Sequence, residues 1–367
     1  MGATTLTHVT KTPKNNINNN KKNIHLHHEH EHGPVVDEVE GVLRVYKDGH
    51  VERSSIVPRV GPSLAPDIGV ACSDVLIDKF TSVWARFYVP KAPSMASSSK
   101  LLLPLLVYFH GGGFCVGSAS WSCYHDFLSR LSSRSQCLIM SVNYRLAPEN
   151  PLPAAYDDGI KAVLWLKQHA NPNYRDIRRR RSCNLWAKQC DFGRIFLAGD
   201  SAGGNIAHRV ATTLDRSLLR PLTIEGTILI QPFFGGEERV ESERRVTSTS
   251  SILSLSASDA YWRLALPRGT NRDHPFCNPL TAASPAPATA ERMMVCVAEM
   301  DILRDREMEF CDDVAEKYGG QKVKRVIYRG VGHAFQILGR SQISQTRTHE
   351  LMSHIHSFIH HSDLIIF

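Results

Sequence analysis

Arg194-Ile195-Phe196-Leu197-Ala198-Gly199-Asp200-Ser201-Ala202-Gly203-Gly204 sets a serine between glycines directly after an apolar run. A serine hydroxyl is a weak nucleophile at neutral pH, so acyl-transfer chemistry lifts it onto a strained strand-to-helix turn where a base reaches it. Gly199 and Gly203 stand two residues either side of Ser201, where a Cβ would collide with the neighbouring strand and helix. After the turn, Ile206, Val210 and Leu214 recur at a four-residue step with Ala207 and Ala211 beside them, the pattern of a helix. Ser201 is therefore expected on a nucleophile elbow at the end of a strand.

Working outward, strands are expected at 70–77, 84–89, 103–109, 137–142, 195–198, 227–231, 293–298 and 323–328, and helices at 122–133, 155–169, 203–215, 305–317 and 344–360. Strands alternating with helices predict an α/β fold. Its sheet is mostly parallel with helices on both faces and early antiparallel strands at one edge, and ligands sit at the carboxyl ends of the strands. Order is expected to begin near Val39, where Gly41 to Gly49 reads as a strand running into an Asp48-Gly49 hairpin turn. The 367 residues suit one large domain, with 1–33 a disordered Asn- and His-rich leader and 34–367 the folded domain, whose 34–100 segment supplies edge strands. From 233 to 290 the alternation breaks into a charged stretch, a short helix around Tyr261-Trp262 and a Pro-rich segment. Trp262, Leu264 and Leu266 need something to bury against, so this insertion is expected to cap the site.

Three further segments carry chemistry. His110-Gly111-Gly112-Gly113-Phe114 follows the strand that ends at Phe109, and consecutive glycines expose backbone N–H groups. A tetrahedral oxyanion needs two or three such preorganised donors. The loop Gly111 to Gly113 is the expected oxyanion hole, with Gly112 and Gly113 as its donors, joined by the N–H of Ala202. A phosphate-binding loop is the other reading, but no Walker lysine follows. Asp301 lies just past the strand at 293–298 and His333 past the strand at 323–328, on the sheet edge expected for Ser201. The order Ser, acid, His assigns His333 as general base and Asp301 as its orienting acid. Asp305 is the alternative acid, although helix is expected to begin before it; Glu299 is expected to lie still in the strand.

The net charge is +7, but Lys11, Lys14, Lys21 and Lys22 fall in the leader and Arg175 with Arg178 to Arg181 in a loop, so no nucleic-acid partner is expected. Nine cysteines without C-x-x-C spacing fit a reducing compartment. No apolar stretch of about 18 residues is present, and Leu6 stands where a myristoylation signal wants Ser or Thr. A soluble, intracellular protein of the cytoplasm or nucleus, without a membrane partner, is expected. The leader histidines His25, His27, His28, His30 and His32 read as low-complexity sequence, and no metal site is expected.

The set His110-Gly-Gly-Gly113, Gly199-Asp-Ser-Ala-Gly-Gly204, Asp301 and His333, with Tyr144-Arg-Leu-Ala-Pro-Glu149 and Pro153-Ala-Ala-Tyr-Asp157, resembles the hormone-sensitive-lipase-like branch of the α/β-hydrolases. Within it the chain is similar to plant carboxylesterases from about Val39 to Phe358. The resemblance implies an eight-stranded sheet, a cap built from the N-terminal segment and insertions, and cofactor-free hydrolysis of a small or medium carboxylic ester. Phe114, Trp121, His125 and Trp262 are the candidate substrate-binding residues under such a cap. Monomer and dimer both stay open. The same branch resembles hormone receptors that have lost the histidine, and eliminases or cyclases; His333 argues against the first and Ser201 against dehydratases, which carry threonine there.

Overall fold

The computed structural model describes residues 31–91, 102–171, 185–245, 252–281 and 292–361. The chain divides into two compact units, residues 1–53 and 54–367. The expectations for residues 1–30, with the histidines at 25, 27, 28 and 30, and for the arginine-rich loop at 175–181 lie outside the described residues.

In the first unit, β1 (Val35–Val39), β2 (Leu43–Tyr46) and β3 (Val51–Arg53) form an antiparallel sheet in the order β1-β2-β3. The Asp48-Gly49 turn is where expected: the Tyr46 N–H donates to the His50 carbonyl at 2.9 Å, and Gly49 takes φ 91°. Two expectations need correction. These strands pair with one another and add no edge to the large sheet. Order also begins ahead of Val39, because His32 lies 2.7 Å from the Asp48 carboxylate and stacks on His50 at 3.8 Å. Asp37 and Glu38 inside β1 hid that strand from a reading by β-propensity.

The second unit holds β4 (Val70–Asp78), β5 (Val83–Pro90), β6 (Leu103–Phe109), β7 (Leu138–Asn143), β8 (Cys190–Asp200), β9 (Ile224–Ile230), β10 (Arg292–Ala298) and β11 (Val323–Tyr328). They make one eight-stranded sheet in the order β11-β10-β9-β8-β6-β7-β5-β4. Only β5 runs against the rest: its pairings with β4 and β7 are antiparallel and all others parallel. The longer helices are α1 (Ser122–Ser135), α2 (Ala154–Ala170), α3 (Ala202–Thr213), α4 (Leu255–Ala265), α5 (Arg304–Tyr318) and α6 (Gln342–His360).

Both faces of the sheet are covered, which is why its central strands read as unbroken apolar runs. On one face Leu106, Phe196, Ile228 and Met294 pack against Leu131 of α1 and Ile355 of α6. The alternate residues Val107, Phe109, Leu197, Leu229 and Val295 point to the other face and are equally buried. β8 starts five residues before the expected 195 because Asp191, Gly193 and Arg194 mask its first half. α4 is longer than the short helix expected, capped where Ser254 Oγ accepts the Ala257 N–H. A further short helix, Glu241–Arg245, lies in the charged stretch, for which no element was expected.

Candidate active site

β8 delivers Ser201 at φ 52° and ψ −122°, a conformation that a side-chain-bearing residue holds only when its surroundings over-determine it. They do: the Ser201 N–H donates to the Ile230 carbonyl at 2.9 Å, and its carbonyl accepts from Phe233 at 2.9 Å and Asn205 at 3.1 Å. A Cβ on Gly199 would lie 2.2 Å from the Gly203 carbonyl oxygen, and one on Gly203 would lie 2.0 Å from that of Phe109. Both obstacles are backbone, so only glycine fits.

Asp301 stands three residues past β10 and His333 five past β11. His333 Nε2 lies 2.9 Å from Ser201 Oγ, and His333 Nδ1 lies 2.6 Å from Asp301 Oδ2. The other Asp301 oxygen accepts the Leu303 N–H at 3.1 Å, and the carboxylate is fully buried. Burial alone would depress the His333 pKa; the charge and hydrogen bond of Asp301, with a smaller contribution from Asp200, outweigh it and hold the imidazole above its ordinary value. Asp305 faces elsewhere, accepting the Ser242 N–H at 2.6 Å and pairing with Arg304. Glu299 is one residue beyond β10 and not within it, its carboxylate capping the Gly330 N–H at 2.8 Å.

The glycine loop after β6 has its peptides turned one by one. His110 Nδ1 donates to the Gly111 carbonyl at 2.8 Å, and burial pushes this imidazole down to about 4, so it is neutral. Because a peptide is planar and trans, fixing that carbonyl sends the Gly112 N–H the opposite way. The Gly112 carbonyl accepts from Cys115 and Val116, both at 3.0 Å, which does the same for the Gly113 N–H. The N–H groups of Gly112, Gly113 and Ala202 have no partner among the described residues. Gly111 departs from expectation: its N–H is directed to Tyr124 Oη at 2.7 Å and Asp200 Oδ1 at 3.2 Å. The reason is Asp200, a fully buried carboxylate with no ion-pair partner among the described residues, which gathers Gly111 together with the hydroxyls of Tyr108 (2.8 Å) and Tyr124 (2.9 Å). Burial raises its pKa to about 6, against the pull of those hydroxyl donors.

The four residues expected to touch substrate separate. Phe114 and Trp262 are both 1% exposed and pack at 5.4 Å, Trp262 stacking on Phe233 at 4.5 Å. Both are packed into the protein interior. Tyr261, not among the expected substrate-binding residues, lies against the glycine loop: a Cβ on Gly113 would meet its ring at 2.3 Å. The spacing of Tyr261 beside the buried Trp262 on α4 was the available signal. His125 is corrected. Its Nε2 donates to the Ser63 carbonyl at 3.0 Å and its Nδ1 faces Tyr88 Oη at 3.2 Å and Arg86 at 3.4 Å, so both ring nitrogens serve the fold. Trp121 is half-buried at the start of α1, stacked on Tyr124.

No helix among the described residues is long and apolar enough to cross a membrane, and no cluster of three or more His, Cys, Asp or Glu among them is arranged to hold a metal ion. A family described as alpha/beta hydrolase fold matches residues 106–337. The chain is 59% identical over 365 residues to a protein of Arabidopsis thaliana named probable carboxylesterase 6, covering 99% of each. It is 35% identical over 310 residues to the chloroplastic tuliposide A-converting enzyme 2 of Tulipa gesneriana, covering 83% of this chain and 74% of that one. Among solved structures it is similar to a thermostable carboxylesterase cloned from a metagenomic library, with a TM-score of 0.61 at 29% identity over 78% of this chain and 89% of that one. Sheet order, elbow and these likenesses agree: the chain belongs to the α/β-hydrolase family, in the hormone-sensitive-lipase-like branch that includes plant carboxylesterases.

Proposed function

We propose that the protein hydrolyses small to medium carboxylic esters through an acyl-enzyme on Ser201. The observation that carries this reading is the unbroken line from Ser201 Oγ through His333 to Asp301, at 2.9 and 2.6 Å. In this mechanism Ser201 Oγ attacks the ester carbonyl while His333 Nε2 takes its proton. The oxyanion is received by the N–H groups of Gly112, Gly113 and Ala202, and Asp301 holds the imidazole in its Nδ1–H tautomer and stabilises the imidazolium. Collapse of the intermediate breaks the ester C–O bond, and His333 returns the proton to the leaving alcohol. Water, deprotonated by His333, then attacks the acyl-enzyme, releasing the acid and restoring Ser201. No cofactor takes part in these steps.

The segment 233–290 is the proposed cap, and Tyr261 against Gly113 is its point of approach to the oxyanion loop. Together with Phe114 and Trp262 it suits an apolar acyl or alcohol group. The receptor reading is disfavoured by an imidazole within hydrogen-bond distance of Ser201, and dehydratase chemistry by the serine itself. The cytoplasm is the proposed location. Cys72, Cys123, Cys137, Cys277, Cys296 and Cys311 are free thiols, which fits a reducing compartment. Since the tulip relative is chloroplastic, a fluorescent fusion at the C-terminus tests this. For the activity, purified protein should release nitrophenol from a short-chain nitrophenyl ester and Ser201→Ala should not. Equal turnover by the variant removes Ser201 from the mechanism.

A further inference from the structure

Gln231, the residue after β9, is 1% exposed and holds φ 47°, a left-handed conformation that costs a side-chain-bearing residue. Its Nε2 is buried without a hydrogen-bond partner among the described residues. Strain and an orphaned donor both weigh against stability, so the amide needs another reason to stand there. Its neighbours supply one. Ile230 accepts the Ser201 N–H at 2.9 Å, and Phe233 donates to the Ser201 carbonyl at 2.9 Å. The Gln231 N–H donates to Cys296 at 2.8 Å on β10, the strand that leads to Asp301. Its Oε1 accepts the N–H of Ala334 at 2.6 Å, the residue after His333. One short segment thus ties together the three strand ends that carry the nucleophile, the acid and the base.

We infer that Gln231 is the positioning residue of the general base, its Oε1 holding the His333–Ala334 peptide so that the imidazole stays on the line between Ser201 and Asp301. That peptide plane sets ψ of His333 and so the direction of its side chain. Ala334 is itself left-handed, at φ 56°, and needs an outside contact to hold it. The Gln231 oxygen, buried and aimed at its N–H, is that contact. Gln231 never touches the ester; it acts through His333. This inference rests on the proposed roles of Ser201 and His333 and adds the element that aligns them.

Gln231→Gly and Gln231→Glu separate this role from a purely structural one. Glycine adopts a left-handed conformation without strain, so the first variant keeps the turn while it removes the acceptor with the rest of the side chain. The second keeps an oxygen acceptor and adds charge. The first readout is the downfield proton resonance of the His333–Asp301 hydrogen bond, which needs no turnover. It should shift or broaden in Gln231→Gly and persist in Gln231→Glu. The second is hydrolysis: kcat should fall by roughly 10²-fold in Gln231→Gly with KM little changed, the cost of displacing a catalytic group by about 1 Å. In Gln231→Glu the pH midpoint of the rate should move upward, since an anion beside the imidazolium favours the charged form. A Gln231→Gly protein with the wild-type resonance and kcat within twofold overturns the inference. A wild-type protein that shows the resonance, loses it in Gln231→Gly and turns over no ester leaves Gln231 in place and overturns the proposed activity instead.

Discussion

Asp200→Asn sets two effects of similar size against each other at the base of the elbow. The Asp200 carboxylate is fully buried, has no ion-pair partner among the described residues, and is satisfied by two tyrosine hydroxyls and the Gly111 N–H. Raising its pKa from 3.8 to about 6 corresponds to a cost of about 3 kcal/mol for keeping it ionised at pH 8. Asparagine removes that cost. It also keeps one oxygen to accept from Tyr108 and Gly111 but turns an NH₂ toward Tyr124, whose hydroxyl loses its acceptor for about 1–3 kcal/mol. At pH 8 the variant should therefore match the wild type within about 2 kcal/mol, although it cuts into a buried network. The sign follows from the raised pKa: the stability this group contributes is complete below the unfolded value and is lost as pH rises through about 6. The variant lacks that loss, so it should gain on the wild type by about 1 kcal/mol between pH 5 and pH 8. Urea unfolding of both proteins at the two pH values measures it. A stability difference that stays constant, or that moves against the variant with rising pH, refutes the assignment of a raised, uncompensated carboxyl.

Asp301→Asn should lower kcat by about 10⁴-fold through the wrong imidazole tautomer. In the wild type kcat/KM should rise with pH through a midpoint above 6.5, because Asp301 holds the His333 pKa up, and the variant's midpoint should fall; stopped-flow pH profiles measure both. Gly113→Ala puts a methyl 2.3 Å from the Tyr261 ring at a backbone φ of 57°, so it should cost about 10²–10³ in kcat by displacing a donor. Adding Tyr261→Ala should restore part of that loss, and a double variant no better than the single removes the clash as its cause. Gly203→Ala should fail to fold, since its Cβ would lie 2.0 Å from the Phe109 carbonyl oxygen, as loss of the cooperative unfolding transition would report.

The elbow was legible because its requirement is steric and local: two backbone clashes write glycine at fixed spacing around Ser201. The central strands were legible because burial on both faces leaves little room for polar residues: the expected bounds 103–109 coincide with β6, and 293–298 differ from β10 by one residue. What escaped depends on side chains arriving from distant segments. The Gly111 N–H is taken up, and so is not left for the expected oxyanion hole, because Asp200, on the next strand of the sheet, claims it. His125 looked available until the Ser63 carbonyl, far away in the chain, took its Nε2. The strands at 35–53 have the same alternation whether they join a large sheet or pair among themselves. Gln231 was expected as the last residue of the strand at 227–231, but β9 ends at Ile230, and only its left-handed φ and its bond to Ala334 distinguish it.

The central claim is that Ser201 is the nucleophile, and covalent capture tests it without knowledge of the natural ester. A fluorophosphonate incubated with the full-length protein at pH 8 should add one equivalent, located by peptide mass spectrometry on Ser201, and should add none to Ser201→Ala or to His333→Ala on the same timescale. Label on another residue, or equal labelling of Ser201→Ala, would contradict the account.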